Sequence, residues 1–179
     1  MEWGAMIRIV RILGIFSLLL GGSAVTAQDV LGQDPLAKPT GKVILTVSGN
    51  IKNTNDEGEA HFDLEMLHTL GVGTLRTSTS WTDGTQEFGG ILMRDLLAAV
   101  GAQGDRVEAI ALNDYSYGIS TEDFDRYSVL LATTLNGQRL RVRDKGPLWI
   151  VYPRDEHKEL RTEATDRKMV WQLRRLIVK

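Results

Sequence analysis

Phe88-Gly89-Gly90-Ile91-Leu92-Met93-Arg94-Asp95-Leu96-Leu97-Ala98-Ala99-Val100-Gly101-Ala102 carries the plainest periodicity in the chain. Leu92, Leu96 and Val100 fall on one helical stripe with Met93 and Leu97 beside it, and Gly101 is placed to end the run. Residues 91–100 therefore read as an amphipathic helix. On both sides the pattern turns to strands. Upstream, residues 73–81 (Gly-Thr-Leu-Arg-Thr-Ser-Thr-Ser-Trp) are polar with high β propensity, a strand or extended segment. Downstream, residues 106–112 and 127–135 read as strands. The second runs into Asn136-Gly137, the strongest hairpin signal present, which makes residues 139–143 its return strand.

Further out, residues 42–49 (Lys-Val-Ile-Leu-Thr-Val-Ser-Gly) are a β-branched run ended by glycine, and the Asn-, Asp- and Gly-rich residues 50–58 are a loop. Residues 62–67 open a short helix, with Asp63 as its cap, Phe62 stapled against Leu67, and Gly71 or Gly73 as its stop. Residues 148–152 form an apolar run stopped by Pro153, and residues 169–178 a last strand. Strands outnumber helices without alternating with them, so the expected class is α+β in one domain, not a doubly wound parallel sheet. No internal repeat or low-complexity block interrupts it.

The chain has 179 residues, 42% hydrophobic and 25% charged, enough for one domain with a proper core. Its 21 Lys+Arg against 23 Asp+Glu leave no basic excess for nucleic acid. The absence of cysteine excludes thiolate nucleophiles, Cys-ligated zinc, Fe–S clusters and lipid-anchored lipoproteins.

Residues 1–27 read as a signal peptide. Arg8 and Arg11 form the positive region, residues 12–20 are apolar, and small residues precede a cut after Ala27. The arginines are separated by Ile9-Val10 and are no twin-arginine pair, which points to the Sec route for unfolded chains and to a periplasmic, secreted protein. The apolar run is short for a membrane span. Residues 28–41, with Gly32, Pro35 and Pro39, read as a linker ahead of a domain over residues 42–179.

Familiar chemical signatures are missing. There is no phosphate-binding Gly-x-x-x-x-Gly-Lys loop, no dinucleotide fingerprint and no Gly-x-Ser-x-Gly elbow. His61, His68 and His157 lack any compact metal spacing; His61 and His68 are expected at the two ends of one short helix, as surface residues. The charge run over residues 154–168 reads as a solvated face.

Six segments in order are more specific: Arg76-Thr77-Ser78-Thr79-Ser80-Trp81; residues 88–102 quoted above; Ala111-Leu112-Asn113-Asp114-Tyr115-Ser116-Tyr117-Gly118-Ile119; Leu130-Leu131-Ala132 with Asn136-Gly137; Lys145-Gly146-Pro147-Leu148-Trp149-Ile150-Val151-Tyr152-Pro153; and Val170-Trp171-Gln172-Leu173. In this order the chain resembles the oxidoreductase molybdopterin-binding domain, the sulfite-oxidase-like fold, and most of all its small secreted single-domain members. The resemblance implies a mixed-sheet α+β fold over residues 42–179.

In catalytic members, a cysteine before the conserved tryptophan gives its thiolate to molybdenum. On this resemblance Thr77 stands at that position, and a neutral hydroxyl cannot replace a soft sulfur ligand. Catalytic relatives also export their cofactor already folded in, whereas this leader is Sec-like. The expectation is therefore no cofactor, with molybdopterin as the family alternative. By resemblance, the segments holding Arg76–Trp81, Asn113–Tyr117 and Lys145–Trp149 surround the cofactor-side cleft.

The same residues suit a ligand site on their own chemistry. Thr77, Asn113 and Asp114 offer polar groups; Trp81, Tyr115, Tyr117 and Trp149 offer flat faces; and Arg76 and Lys145 are suited to an anion. Duller roles stand beside these: Asn113-Asp114 as a self-capping turn, and Trp149 as core. Three functions follow in order. The first is a non-catalytic module binding a small ligand, an anion among the candidates, or docking on a membrane sensor protein. The second is a molybdopterin-dependent oxidoreductase with atypical ligation, and the third a purely structural interaction protein.

Overall fold

A computed structural model describes residues 36–179. The signal-peptide reading and most of the linker lie outside them. Two five-stranded sheets build the domain. The first has the order β2-β1-β10-β5-β6, from β1 (Leu45–Gly49), β2 (Ala60–Phe62), β5 (Arg106–Ala111), β6 (Ser116–Ser120) and β10 (Leu173–Val178). The second has β3 (Gly73–Ser78), β4 (Thr85–Leu92), β7 (Leu130–Leu135) and β8 (Gln138–Arg139) in line, with β9 (Trp149–Val151) also on β7. β1 runs parallel to β10 and the remaining pairings are antiparallel, so the first sheet is mixed, as expected.

The residues that open the sequence argument divide differently from their periodicity. The helix α2 spans Met93–Ala99, and Ile91 and Leu92 end β4, opposite Leu131 and Leu130 of β7. The strand continues because the sheet offers Ile91 and Leu92 backbone partners that a helix start would forgo. The Met93 N–H then donates to the Val129 carbonyl at 3.0 Å, in place of a side-chain cap. Gly90 has a specific reason. At a register shift between Gly89 and Gly90, its Cα lies so close to the Leu131 carbonyl that a Cβ would overlap it.

The first helix, α1 (Leu64–Thr69), forms as its cap foretells. Asp63 Oδ1 accepts the Met66 N–H at 2.9 Å. Its other oxygen accepts the N–H groups of Thr40 and Gly41 at 2.9 and 2.7 Å, tying the entering chain to the helix. These backbone donors, Met66 foremost, hold its carboxyl below the usual aspartate value. Gly71, at φ +104°, follows the helix and returns its N–H to the His68 carbonyl. His61 lies on β2, not on this helix, because Thr46 of β1 pairs with it.

Several expected strands are shorter than their sequence patterns, among them those over residues 42–49, 73–81 and 169–178, which form only over Leu45–Gly49, Gly73–Ser78 and Leu173–Val178. Residues 122–126 form helix α3 (Glu122–Arg126), which buries Phe124, so the strand expected from Tyr127 starts at Leu130. The hairpin at Asn136-Gly137 forms, with φ of +49° and +74° at those residues. Its return strand stops at Arg139 because Val142–Asp144 winds into a 3-10 turn. Trp149, Tyr152, Phe62 and Phe88 are fully buried, and the sheets touch where Trp149 bridges to Trp171 and Leu173 donates to the Leu148 carbonyl. Fully burying side chains of this size is worth about 1.5–3 kcal/mol each. Among the described residues, no helix is long and apolar enough to cross a membrane.

Candidate functional site

Residues 154–168 are a solvated face only in part: Glu156, Lys158, Glu159, Arg161, Glu163 and Arg167 are exposed, whereas Arg154, Asp155, Asp166 and Lys168 are half-buried. The segment folds back over the end of β3, and helix α4 (Glu163–Lys168) forms within it because Thr162 Oγ1 accepts the Thr165 N–H at 3.2 Å. Asp155 accepts the Ser78 N–H at 2.8 Å, the Ser78 hydroxyl at 2.6 Å and the Thr85 hydroxyl at 3.1 Å. The Ser78 hydroxyl, above all, keeps its carboxyl below the ordinary aspartate value. Thr77 is fully buried beside it. Its hydroxyl donates to the Ser78 carbonyl at 3.3 Å and accepts the Asp155 N–H at 3.2 Å.

The next anchor pairs charge with charge. Arg154 Nη1 lies 3.1 Å from Asp166 Oδ1 and donates to the Ser80 hydroxyl at 3.0 Å, while that hydroxyl donates to Asp166 Oδ2 at 2.6 Å. Arg154 Nε and Asp166 Oδ1 remain buried without hydrogen-bond partners, so charge is compensated there while hydrogen-bonding capacity is not. At the far end of α4, Lys168 Nζ reaches Asp123 Oδ2 at 2.7 Å. The Tyr152 hydroxyl donates to the same oxygen at 2.8 Å, and burial followed by the Asp123 charge pushes that phenol far above its usual range.

Held this way, α4 and the segment that joins it to β10 wall a cleft of about 500 Å³ against the residues after β3 and the turn after β5. That volume lies in the usual range for small-molecule sites. Trp81 and Trp171 meet edge to face, with centroids 4.8 Å apart, and Met169 and Val170 continue the apolar side. Asn113, Tyr115 and Ser80 bring polar groups. The Tyr115 hydroxyl donates to the Arg167 carbonyl at 3.1 Å, and its partial burial raises its pKa. The charged lining consists of Glu163, Asp166 and Arg167, and Arg167 Nη2 is held by Glu163 at 2.6 Å.

Of the residues expected from sequence, Trp81, Asn113 and Tyr115 line this cleft. Trp149 is core behind it, its ring 6.3 Å from Trp81 and 6.4 Å from Trp171, with Nε1 donating to the Met169 carbonyl. Lys145 sets its ammonium over the Trp149 and Trp171 rings at 5.8 and 5.9 Å but does not line the cleft. Arg76 is exposed on β3 opposite Glu87, and Tyr117 is half-buried on β6 opposite Ala109. Asp114, at φ +64°, pairs with Arg174 at 2.5 Å, and Asn113 Oδ1 accepts the Tyr115 N–H, the self-capping turn. Sequence reasoning missed Glu163, Asp166 and Arg167. The Thr162-to-Thr165 cap spacing was the available signal, obscured by the surrounding charges.

No curated protein matches the chain. Among solved structures, the sulfane dehydrogenase SoxCD from Paracoccus pantotrophus superposes with a TM-score of 0.55 at 19% identity, over 75% of this chain and 37% of that one. The likeness is one of fold, and the chain spans little more than a third of that relative. The sequence profile of the oxidoreductase molybdopterin-binding domain matches residues 59–156, more than half of the chain, and the protein belongs to that family.

Proposed function

We propose that this protein is an exported, non-catalytic member of its family, a binding module that takes a small ligand with a flat ring in the cleft between Trp81, Tyr115 and Trp171. The observation that carries the reading is Thr77. The family resemblance puts the metal-ligating thiolate at this position; here it is a buried hydroxyl already hydrogen-bonded as donor and as acceptor. A hydroxyl of ordinary acidity is a poor ligand for a metal that favours soft sulfur. With no cysteine in the chain, no other residue can supply a thiolate.

The rest of the lining also fits a molybdopterin poorly. Such a cofactor carries an anionic phosphate, and the charges around the cleft are already paired, Arg167 with Glu163 and Asp166 with Arg154, which leaves no cation of the described lining free to hold it. The residues present do not fit the group. The same balance argues against an anionic ligand in this cleft and for an uncharged one, stacked on the tryptophans and hydrogen-bonded by Asn113 and Ser80. Export rests on the Sec-like character of residues 1–27.

The test is elemental and pterin analysis of protein purified natively from its own compartment. The expected result is neither stoichiometric molybdenum or tungsten nor a fluorescent pterin product, with an organic ligand released on denaturation that Trp81→Ala no longer retains. Stoichiometric metal with pterin would overturn the reading. It would support an oxidoreductase with atypical ligation, which family membership over residues 59–156 favours. If Thr77→Cys acquires pterin where the wild type has none, the cleft keeps a cofactor shape whose ligand was lost.

A further inference from the structure

A second concavity, of about 630 Å³, lies between the start of β1, the start of β10 and the segment that follows the β7–β8 hairpin. Lys42, Arg139, Arg141, Arg174 and Arg175 line it, and no carboxylate does. In a chain whose acids outnumber its bases, five cations in one groove are not a product of composition. Arg174 and Arg175 are partly neutralised from outside the groove, by Asp114 at 2.5 Å and Glu59 at 2.7 Å. Lys42, Arg139 and Arg141 form no ion pair among the described residues.

The groove also gathers apolar surface. Of the five large hydrophobic side chains exposed among the described residues, Val43, Leu112 and Val142 are in its lining. Apolar side chains grouped beside unpaired cations suit a ligand with the opposite charge and an apolar part, because each unpaired cation gains a partner as water leaves its neighbours. A backbone feature selects the kind of ligand. β8 is the terminal strand of its sheet and pairs only with β7, so its outer edge has no strand beyond it. That edge is short, Gln138 and Arg139; Arg141 is also extended, at φ −107° and ψ 160°, but its carbonyl already accepts the Asp144 and Gly146 N–H groups, both at 2.7 Å. An open strand edge is a template for a polypeptide, which a lipid or a small anion cannot use.

We infer that this groove binds an extended acidic segment of a partner protein, with carboxylates meeting Arg139, Arg141 and Lys42 and apolar side chains alternating against Val43, Leu112 and Val142. The alternation follows from strand geometry, in which successive side chains face opposite ways. The inference is independent of what the aromatic cleft binds.

The test uses natively purified protein and two octapeptide libraries. One alternates Glu or Asp with Val, Leu, Ile or Phe; the other has Lys in the acidic positions. The protein should enrich acidic members, with affinities that fall steeply at about 0.5 M salt. The Arg139→Glu/Arg141→Glu variant, melting with the wild type, should bind enriched peptides at least about tenfold more weakly. Arg94→Glu, an exposed change on α2, should bind as the wild type does. Equal enrichment of the lysine library, or unchanged binding by the double variant, would overturn the inference. So would capture on phosphatidylglycerol vesicles by a protein that enriches no acidic peptide, which would make the groove a membrane-surface site.

Discussion

The aromatic cleft and the basic groove lie on either side of the same two backbone segments, and they treat charge in opposite ways. Ala111 and Asn113 line the cleft while Leu112, between them, lines the groove; Val170 and Trp171 line the cleft while Leu173 and Arg174 line the groove. Around the cleft the charges are matched: Arg154 with Asp166, Arg167 with Glu163, and Lys168 with Asp123 at the far end of α4. In the groove, three cations have no such partner among the described residues. A paired charge fixes architecture and a lone cation remains available for recognition, so neighbouring concavities in a nearly neutral protein can have unrelated tasks.

The largest expected effect tests whether the two regions share one foundation. Trp149 is fully buried against Trp81, Trp171 and Phe88, and Trp149→Ala should cost about 3–5 kcal/mol in denaturant unfolding. If the two concavities stand on the same core, ligand retention in the cleft and peptide binding in the groove should fail together in this variant.

Asp155→Ala separates them. It removes the acceptor for Ser78 at the end of β3 and Thr85 at the start of β4, none of which lines the groove, and should cost about 2–3 kcal/mol. Equilibrium unfolding measures the loss, and peptide binding at the groove should persist wherever the protein remains folded.

Acid gives the same comparison without mutation. Asp63 and Asp155 both have native carboxyl pKa values below their ordinary ones. Their contribution is thus fully present above the unfolded value near ~4 and is lost as pH falls through the lowered native values. Unfolding followed from neutral to acid pH should show stability declining in that window, and Asp155→Ala should show a shallower decline than the wild type.

Smaller changes sharpen the contrast. Tyr115→Phe removes the hydrogen bond to the Arg167 carbonyl at an exposed site and should cost less than about 1 kcal/mol, with its main effect on ligand retention in the cleft. Arg139→Glu should leave the melting temperature nearly unchanged, within about 0.5 kcal/mol, because an exposed cation without an ion-pair partner contributes little to folding.

Local chemistry made a good part of the fold readable. The Asp63 cap, the Asn136-Gly137 hairpin and the stripe of Leu96 and Val100 depend on neighbours within a few residues, and each forms as its sequence implies. Ile91 and Leu92 could not be read that way, since their strand geometry depends on β7, about forty residues later. The site was legible to a similar depth. Trp81, Asn113 and Tyr115 were identifiable as residue types suited to a ligand, whereas Asp166 looked like one more solvated acid until its partners Arg154 and Ser80 came into view.

The sequence by itself determined the family, through six ordered segments, and the absence of any thiolate, since composition alone decides that. Through the same resemblance it put forward Thr77, a hydroxyl whose donor type does not depend on its surroundings, as the residue on which the proposed loss of the metal ligand rests. The tertiary structure decided how that hydroxyl is used, which charges are paired and which are left for a partner, and that Arg76 and Lys145 stand outside the aromatic cleft. Pairing is a property of distance between residues remote in the chain, and a linear sequence carries no distances.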